Sequence, residues 1–198
     1  MGLNIETDFG QTPLSEEEKE DLIISTISNK QELDEFEQIN IESAVEWSMK
    51  QVFKMEQIVS VSFILKLHKR MFGQTWKWAG KFRQSNKNLG IDKYQIPQEL
   101  TKMIDDCQYW IENKIYLQDE KAIRLKHRLV SIHPFANGNG RHSRLYADIL
   151  ISHGFKRKIF SWGQSSFTSR GEAREKYLSA VRKADKGDIQ ALVKFARL

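Results

Sequence analysis

The chain reads as an all-α domain of seven or eight helices that carries one short extended or hairpin segment. Three observations predict this. Apolar residues recur at helical spacing along most of the length. Capping residues and glycines punctuate those stretches. One interval, residues 73–97, breaks the rhythm with three glycines together with Asn86 and Asn88. The 198 residues, 40% hydrophobic and 29% charged, suit a single globular unit.

Ser15 followed by Glu18 is a capping box that opens "SEEEKEDLII", with Pro13 and Leu14 leading in. Ser28 followed by Gln31 opens a longer helix running to about residue 54, with Leu33, Phe36, Ala44 and Trp47 at helical spacing. "VSVSFILKLHKRMF" places Val61, Ile64, Leu65, His68 and Met71 or Phe72 along one side, and Gly73 stops it. Within 73–97, Tyr94 and Ile96 suggest an extended or hairpin segment at 86–96. Helices resume with "QELTKMIDDCQYWIEN" and with "DEKAIRLKHRLVSI", whose apolar face is Ala122, Leu125, Leu129 and Ile132. "RHSRLYADILISHG" ends at Gly154, and two further helices are expected at about 169–186 and 188–197.

Composition excludes several classes. A lone cysteine, Cys107, forms no internal disulfide and fits a reducing compartment. "MGLNIETDFG" lacks the basic and apolar regions of a signal peptide, and Glu6 stands where a myristoylation site wants Ser or Thr. No apolar run approaches the roughly 20 residues of a membrane span, so a soluble cytoplasmic protein is expected. Net charge is +5 but uneven: residues 1–46 hold 13 acids and 2 bases (−11), and the rest 13 acids and 29 bases (+16). An acidic helical segment at 1–54 is therefore expected to pack on a basic core at 55–198. The bases are spread over several helices without a helix-turn-helix or zinc pattern, which argues against a nucleic-acid partner.

The densest chemistry is "HPFANGNGRHSR", residues 133–144. Pro134 ends the preceding helix just after His133. Gly138 and Gly140 permit positive φ, so successive backbone N–H groups face one concavity, and the next helix adds its unpaired amides and positive dipole end. That describes an anion site made of backbone. Arg141 and Arg144, three apart on one face, add two guanidinium forks suited to a polyphosphate. His133 lies across the loop, placed to accept a proton from an attacking hydroxyl, and the Asn137 amide oxygen could reach a magnesium ion. Phe135 anchors the turn in the core. Each element alone is ordinary, since "GNG" is a common turn and Arg-x-x-Arg a common solvated face. Their order within twelve residues is not.

This stretch resembles the signature of Fic proteins, His-Pro-Phe-x-(Asp/Glu)-Gly-Asn-Gly-Arg-x-x-Arg, and differs from it only at Asn137. "LHKRMFGQTWKWAGKFR" resembles the family's helix, loop and Gly-x-x-Arg, "NKNLGIDKYQIP" stands where its flap belongs, and "YLSAVRKADKGDIQALVKF" is similar to its closing helices. The resemblance covers about residues 55–196 of the Fic/Doc family. It is strongest to the short bacterial branch called mobile mystery protein B, which tends to carry Asn at the acid position.

The resemblance implies a Fic-type helical bundle with a short β-hairpin flap that transfers AMP, or another nucleotide, from ATP with Mg2+ to a Tyr, Thr or Ser hydroxyl of a protein. It implies His133 as general base, and Gly138, Asn139 and Gly140 as the frame of the anion hole. It gives Arg141 and Arg144 the β- and γ-phosphates, and puts Asn137 at the metal. The flap residues Asn88, Gly90, Tyr94 and Ile96 would clamp the target by main-chain pairing. An antitoxin-like regulator is a further implied partner.

Asn137 supplies a neutral ligand where the family has an acid, so weaker metal binding is expected, and a catalytically silent nucleotide or partner binder is the alternative reading. The Doc toxins, which transfer phosphate, have Lys where Gly140 stands. No clean autoinhibitory Ser/Thr-x-x-x-Glu-(Gly/Asn) motif is present: Glu16, Glu32 and Glu172 have the spacing but the wrong residue after them. The charge split nonetheless suggests that the acidic segment restrains Arg144.

Overall fold

The computed structural model describes residues 14–163 and 170–198; Thr12, Thr168 and the expected helix start at residue 169 lie outside them. The helices are α1 (Glu16–Glu20), α2 (Lys30–Lys50), α3 (Met55–Ile58), α4 (Val61–Phe72), α5 (Ile96–Glu112), α6 (Gln118–Ile132), α7 (Asn139–Ile149), α8 (Arg170–Asp185) and α9 (Ile189–Arg197). A 3-10 turn at Lys93–Gln95 leads into α5, and a π turn at Leu150–Gly154 continues α7. The fold is all-α, and no helix of the described residues is long and apolar enough to cross a membrane.

Local chemistry sets most of the boundaries. The capping box at α1 is present, with Ser15 N donating to Glu18 Oε2 at 2.8 Å and Glu18 N to Ser15 Oγ at 3.3 Å. That helix ends at Glu20 instead of running to Ile24, because its continuation pairs with the loop after α4. Ile23 N donates to Thr75 O at 2.8 Å and Lys77 N to Asp21 O at 2.9 Å. Asn29, not Ser28, caps α2, accepting from Glu32 N at 3.0 Å. Ser60 caps α4, accepting from Phe63 N at 3.1 Å. Pro97 sits in the first turn of α5, where its missing N–H costs nothing.

Helix α6 is the centre of the bundle, packed by α5, α7 and α9. Ala122, Ile123, Leu125, Leu129 and Ile132 are all buried on it. Each large aliphatic side chain so buried contributes about 1.5–3 kcal/mol. Helix α7 lies between α6 and α4, and the Tyr146 hydroxyl fixes it to α3 by donating to Ile58 O at 2.8 Å. Helix α2 lies on α4, yet its buried stripe is Leu33, Glu37, Asn40, Ala44 and Ser48, more polar than expected. Phe36 lies outside that stripe and is exposed. Asn40 Nδ2 donates to Thr75 Oγ1 at 3.0 Å and Trp76 Nε1 to Glu37 Oε1 at 2.7 Å, so α2 grips the loop at 75–76 through hydrogen bonds.

The hairpin expected at 86–96 is not formed, and there is no strand among the described residues. Side chains, with one backbone bond from Ile91 N to Ile132 O at 3.4 Å, satisfy this segment's backbone in place of a partner strand. Arg83 donates to the carbonyls of Ser85 and Ile91, while Asn86 Oδ1 accepts from Lys93 N at 2.8 Å. Asp92 Oδ1 accepts from Tyr94 N at 2.9 Å and caps the 3-10 turn. Ile96 is not a flap residue: it is fully buried at the start of α5.

Candidate active site

The site forms where α6 ends and α7 begins. His133 terminates α6 in the left-handed region (φ 55°, ψ 59°), its N–H still donating to Leu129 O at 3.2 Å. Pro134 then prevents further helix. Gly138 turns the chain again with φ 77°, and the Cβ of any other residue there would lie 2.5 Å from the Phe72 ring. Gly140 differs from expectation: it has no positive φ, lies in the first turn of α7, and a Cβ on it would meet nothing within 4 Å. Its backbone is therefore approachable, beside first-turn amides that lack intrahelical acceptors.

Three buried polar side chains hold this loop. Asn139 accepts from Phe135 N at 3.0 Å and donates to Phe135 O at 2.9 Å, so its side chain closes the turn and only its backbone faces the concavity. His68, on α4, accepts from Gly80 N at its Nδ1 (3.0 Å), which leaves Nε2 to donate to Asn137 O at 3.1 Å. Its ring stacks on Phe135 at 3.6 Å. Burial holds the His68 pKa well below the ordinary histidine value. Arg83 donates through Nε to His133 O at 2.7 Å and through a terminal nitrogen to Ile91 O, while its own N–H reaches Pro134 O at 2.9 Å. The segment at 86–92 is thus fastened to the site by one guanidinium.

His133 is only 7% exposed, and its pKa is lowered to about 4. Burial is the main cause, opposed by a hydrogen bond with the Val130 backbone and reinforced by the charges of Arg83 and Lys87. A neutral imidazole at physiological pH is the form that accepts a proton. His142, between the two arginines, faces the core instead. Its Nε2 donates to Ile64 O at 3.0 Å, and burial depresses its pKa to about 3.

The two arginines take different partners. Arg141 pairs with Glu37 of α2 at 2.6 Å and lies 5.0 Å over the Phe72 ring. Arg144 lies 5.6 Å over the Tyr177 ring of α8, whose hydroxyl accepts from the fully buried Lys126 at 2.5 Å. Burial pushes the Tyr177 phenol up, but the Lys126 cation, its hydrogen bond and Arg144 together bring it below the ordinary tyrosine value. Among the described residues, the acid from the N-terminal segment that reaches α7 is Glu37, and it engages Arg141, not Arg144. Asn137 is half-buried, and its Oδ1 accepts from Gly138 N at 2.5 Å. Among the described residues no cluster of three or more His, Cys, Asp or Glu could hold a metal.

Of the expected flap residues, Gly90 lies against the base: with φ 95°, a Cβ there would be 2.5 Å from His133 Cβ. Asn88 and Tyr94 are exposed nearby in sequence, Tyr94 at 82%. Glu37, His68 and Arg83 carry the site's architecture without having been singled out by role in the sequence. Glu37 had a signal, because it falls four residues after Leu33 and seven before Ala44 on the stripe that turns inward.

The Fic/DOC family model matches residues 58–151, from the end of α3 through α7 into the π turn. A protein adenylyltransferase Fic of Aedes aegypti is 26% identical over 168 residues, 82% of this chain and 32% of that protein. The protein adenylyltransferase Fic of Drosophila ananassae is 30% identical over 148 residues, 73% and 28% respectively. The chain thus spans about a third of the length of these curated relatives. Among solved structures, Fic-1 from C. elegans superposes with a TM-score of 0.69 at 21% identity, over 89% of this chain and 50% of that one. BepC from Bartonella tribocorum, with bound AMPPNP, gives 0.60 at 18% identity, over 91% and 95%. At such identities these two speak for the fold. Residues 58–151, which include the whole loop from His133 to Arg144, thus match the Fic/DOC family model.

Proposed function

We propose that this protein is a Fic-type nucleotidyltransferase that moves AMP, or another nucleoside monophosphate, from a nucleoside triphosphate to a Tyr, Thr or Ser hydroxyl of a target protein. The observation that carries the reading is His133: a buried imidazole, neutral at physiological pH, at the mouth of a loop that leads into the α7 N-terminus. In the step, the hydroxyl oxygen bonds to the α-phosphorus while its proton passes to His133. The bond from that phosphorus to the bridging oxygen breaks, and pyrophosphate leaves. The α7 amides, Arg141 and Arg144 receive the charge that develops on the phosphates. His68, Asn139 and Arg83 keep that cradle in shape. Adenylyltransferase relatives and an AMPPNP-bound neighbour of the same fold support ATP as the donor.

A magnesium ion would meet a single neutral protein oxygen here, Asn137 Oδ1, with phosphates and water completing its shell. It would supply charge neutralisation of the phosphates. The same residue supports a second reading, a nucleotide or partner binder with little transfer activity, because Asn137 lacks the acid's charge and Glu37 occupies Arg141. Asn137 also underlies our placement of the chain with the bacterial mobile mystery protein B branch, and with it a cytoplasmic, toxin-like role under a separate regulator.

Incubation with α-³²P-labelled ATP and magnesium tests the assignment, with wild type beside His133→Ala and His133→Asn. The Asn variant is included because Asn tolerates the left-handed backbone at this position. Label on the protein or on a lysate band, reduced about 10²–10⁴-fold in both variants, is the expected result. Nucleotide binding without label from any of the four triphosphates would favour the second reading.

A further inference from the structure

The acidic N-terminal segment touches the site at a place the transfer chemistry does not use. The Glu18 carboxylate, on α1, accepts from Ser85 Oγ at 3.1 Å and pairs with the Lys87 ammonium. Both side chains of that pair are largely shielded, Lys87 at 6% and Glu18 at 13% exposure. The Glu18 carbonyl accepts from Trp78 Nε1 at 3.2 Å. The chain following α1 is stitched to residues 75–77 by the two backbone bonds given above. Lys87 directly precedes Asn88, Leu89 and Gly90, and Gly90 lies against His133. Lys87 is also near enough to His133 for its charge to help keep the imidazole neutral.

We propose that Glu18 is a positioning residue for the transfer reaction, clasping the segment at 85–90 so that it lies in place beside His133 where a target would dock. The inference rests on the proposed function for its catalytic consequence, though not for the clasp itself. Two physical points favour it. A shielded lysine and a shielded carboxylate attract each other with less screening by water than an exposed pair, so Glu18→Gln removes a charge contact that ties α1 to Lys87. The segment forms no strand ladder; Arg83 and the Ile91 N–H bond to Ile132 O hold its far end, and Glu18 is the anchor at Ser85 and Lys87. Helix α1 then organises the target side of the site, a role separate from that of Glu37, which meets Arg141 on the nucleotide side. A partner that drew α1 away would disable transfer while leaving the phosphate loop intact.

The test is hydrogen exchange on the full chain for wild type, Glu18→Gln, Lys87→Met and the double variant. Protection at 84–92 is expected to fall about tenfold or more in each single variant, with no further fall in the double, while 135–146 and α6 are unchanged. In the self-labelling reaction with labelled ATP, the maximal rate of Glu18→Gln should drop about tenfold while half-saturating ATP stays within about twofold. Unchanged exchange at 84–92 would overturn the clasp. So would a uniform rise across α5, α6 and α7, or fully additive single variants, since either makes Glu18 a generic stabiliser. If wild type transfers no label, the functional reading fails, and the exchange data still decide whether the clasp exists.

Discussion

At the scale of single residues, the site depends on groups whose neighbours have changed their chemistry. His133 must be neutral to take a proton, and its pKa near 4 means that it is so across the physiological range. The transfer rate should therefore be flat between about pH 6 and 8 and fall only as pH drops through about 4, well below the ordinary histidine value near 6.5. A rate profile in labelled ATP checks this; a limb near 6.5 would place the base elsewhere or leave it solvated. Glu37 raises the opposite issue, since phosphate and carboxylate compete for one guanidinium. Glu37→Gln keeps an acceptor for Trp76 Nε1 but removes the charge. It should tighten MgATP binding about 5- to 30-fold by calorimetry, the equivalent of roughly 1–2 kcal/mol. Unchanged affinity would show that Arg141 does not meet the nucleotide.

At the scale of elements, the turn between α6 and α7 uses its two glycines for different purposes. Gly138 combines positive φ with contact against the Phe72 ring, so Gly138→Ala should lower stability by about 2–4 kcal/mol in a thermal or denaturant melt. Gly140 is helical and its Cβ direction is clear, so Gly140→Ala should leave stability unchanged or slightly raised. The same substitution should still weaken nucleotide binding, because the added methyl stands on the surface that phosphates approach. A Gly140→Ala protein that bound nucleotide normally would exclude that face of α7 as the phosphate cradle. Both glycines look alike in the sequence. What separates them is the ring of Phe72, which comes from α4, more than sixty residues away in the chain.

At the scale of the whole molecule, buried ionisable groups set how stability responds to pH. The pKa values of His68, His133 and His142 all lie below the ordinary value in the folded protein, chiefly through burial. Below about pH 6.5 the unfolded chain binds protons that the folded one refuses, so stability should fall with acid, by about 2–5 kcal/mol between pH 7 and pH 5. Urea unfolding at the two pH values measures it. Asp148 works in the other direction. Burial raises it to about 6, opposed by its hydrogen bonds from Trp162 Nε1 and Phe160 N and by Arg144 and Arg197. Because its folded pKa lies above the unfolded one, it costs stability at neutral pH and that cost disappears as pH falls from 6 toward 3.8. Asp148→Asn should then be about 1–3 kcal/mol more stable than wild type at pH 7 and indistinguishable from it below about pH 4.

The sequence by itself determined the helical class, most helix positions, and the loop from His133 to Arg144. Each of these is written in neighbouring residues: periodic apolar positions, a capping box at Ser15 and Glu18, a proline after His133, glycines around Asn139. Tertiary structure decided what distant residues do to one another. It ended α1 early by pairing 21–23 with 75–77, replaced the hairpin at 86–96 with bonds from Arg83 and Asn86, and sent Ile96 into the core. It also aimed Glu37 at Arg141 and Glu18 at Lys87. Backbone preference is local and survives being read from a short window. The pairing of buried charges and the satisfaction of buried backbone groups depend on which segments meet, and only the packed chain fixes that.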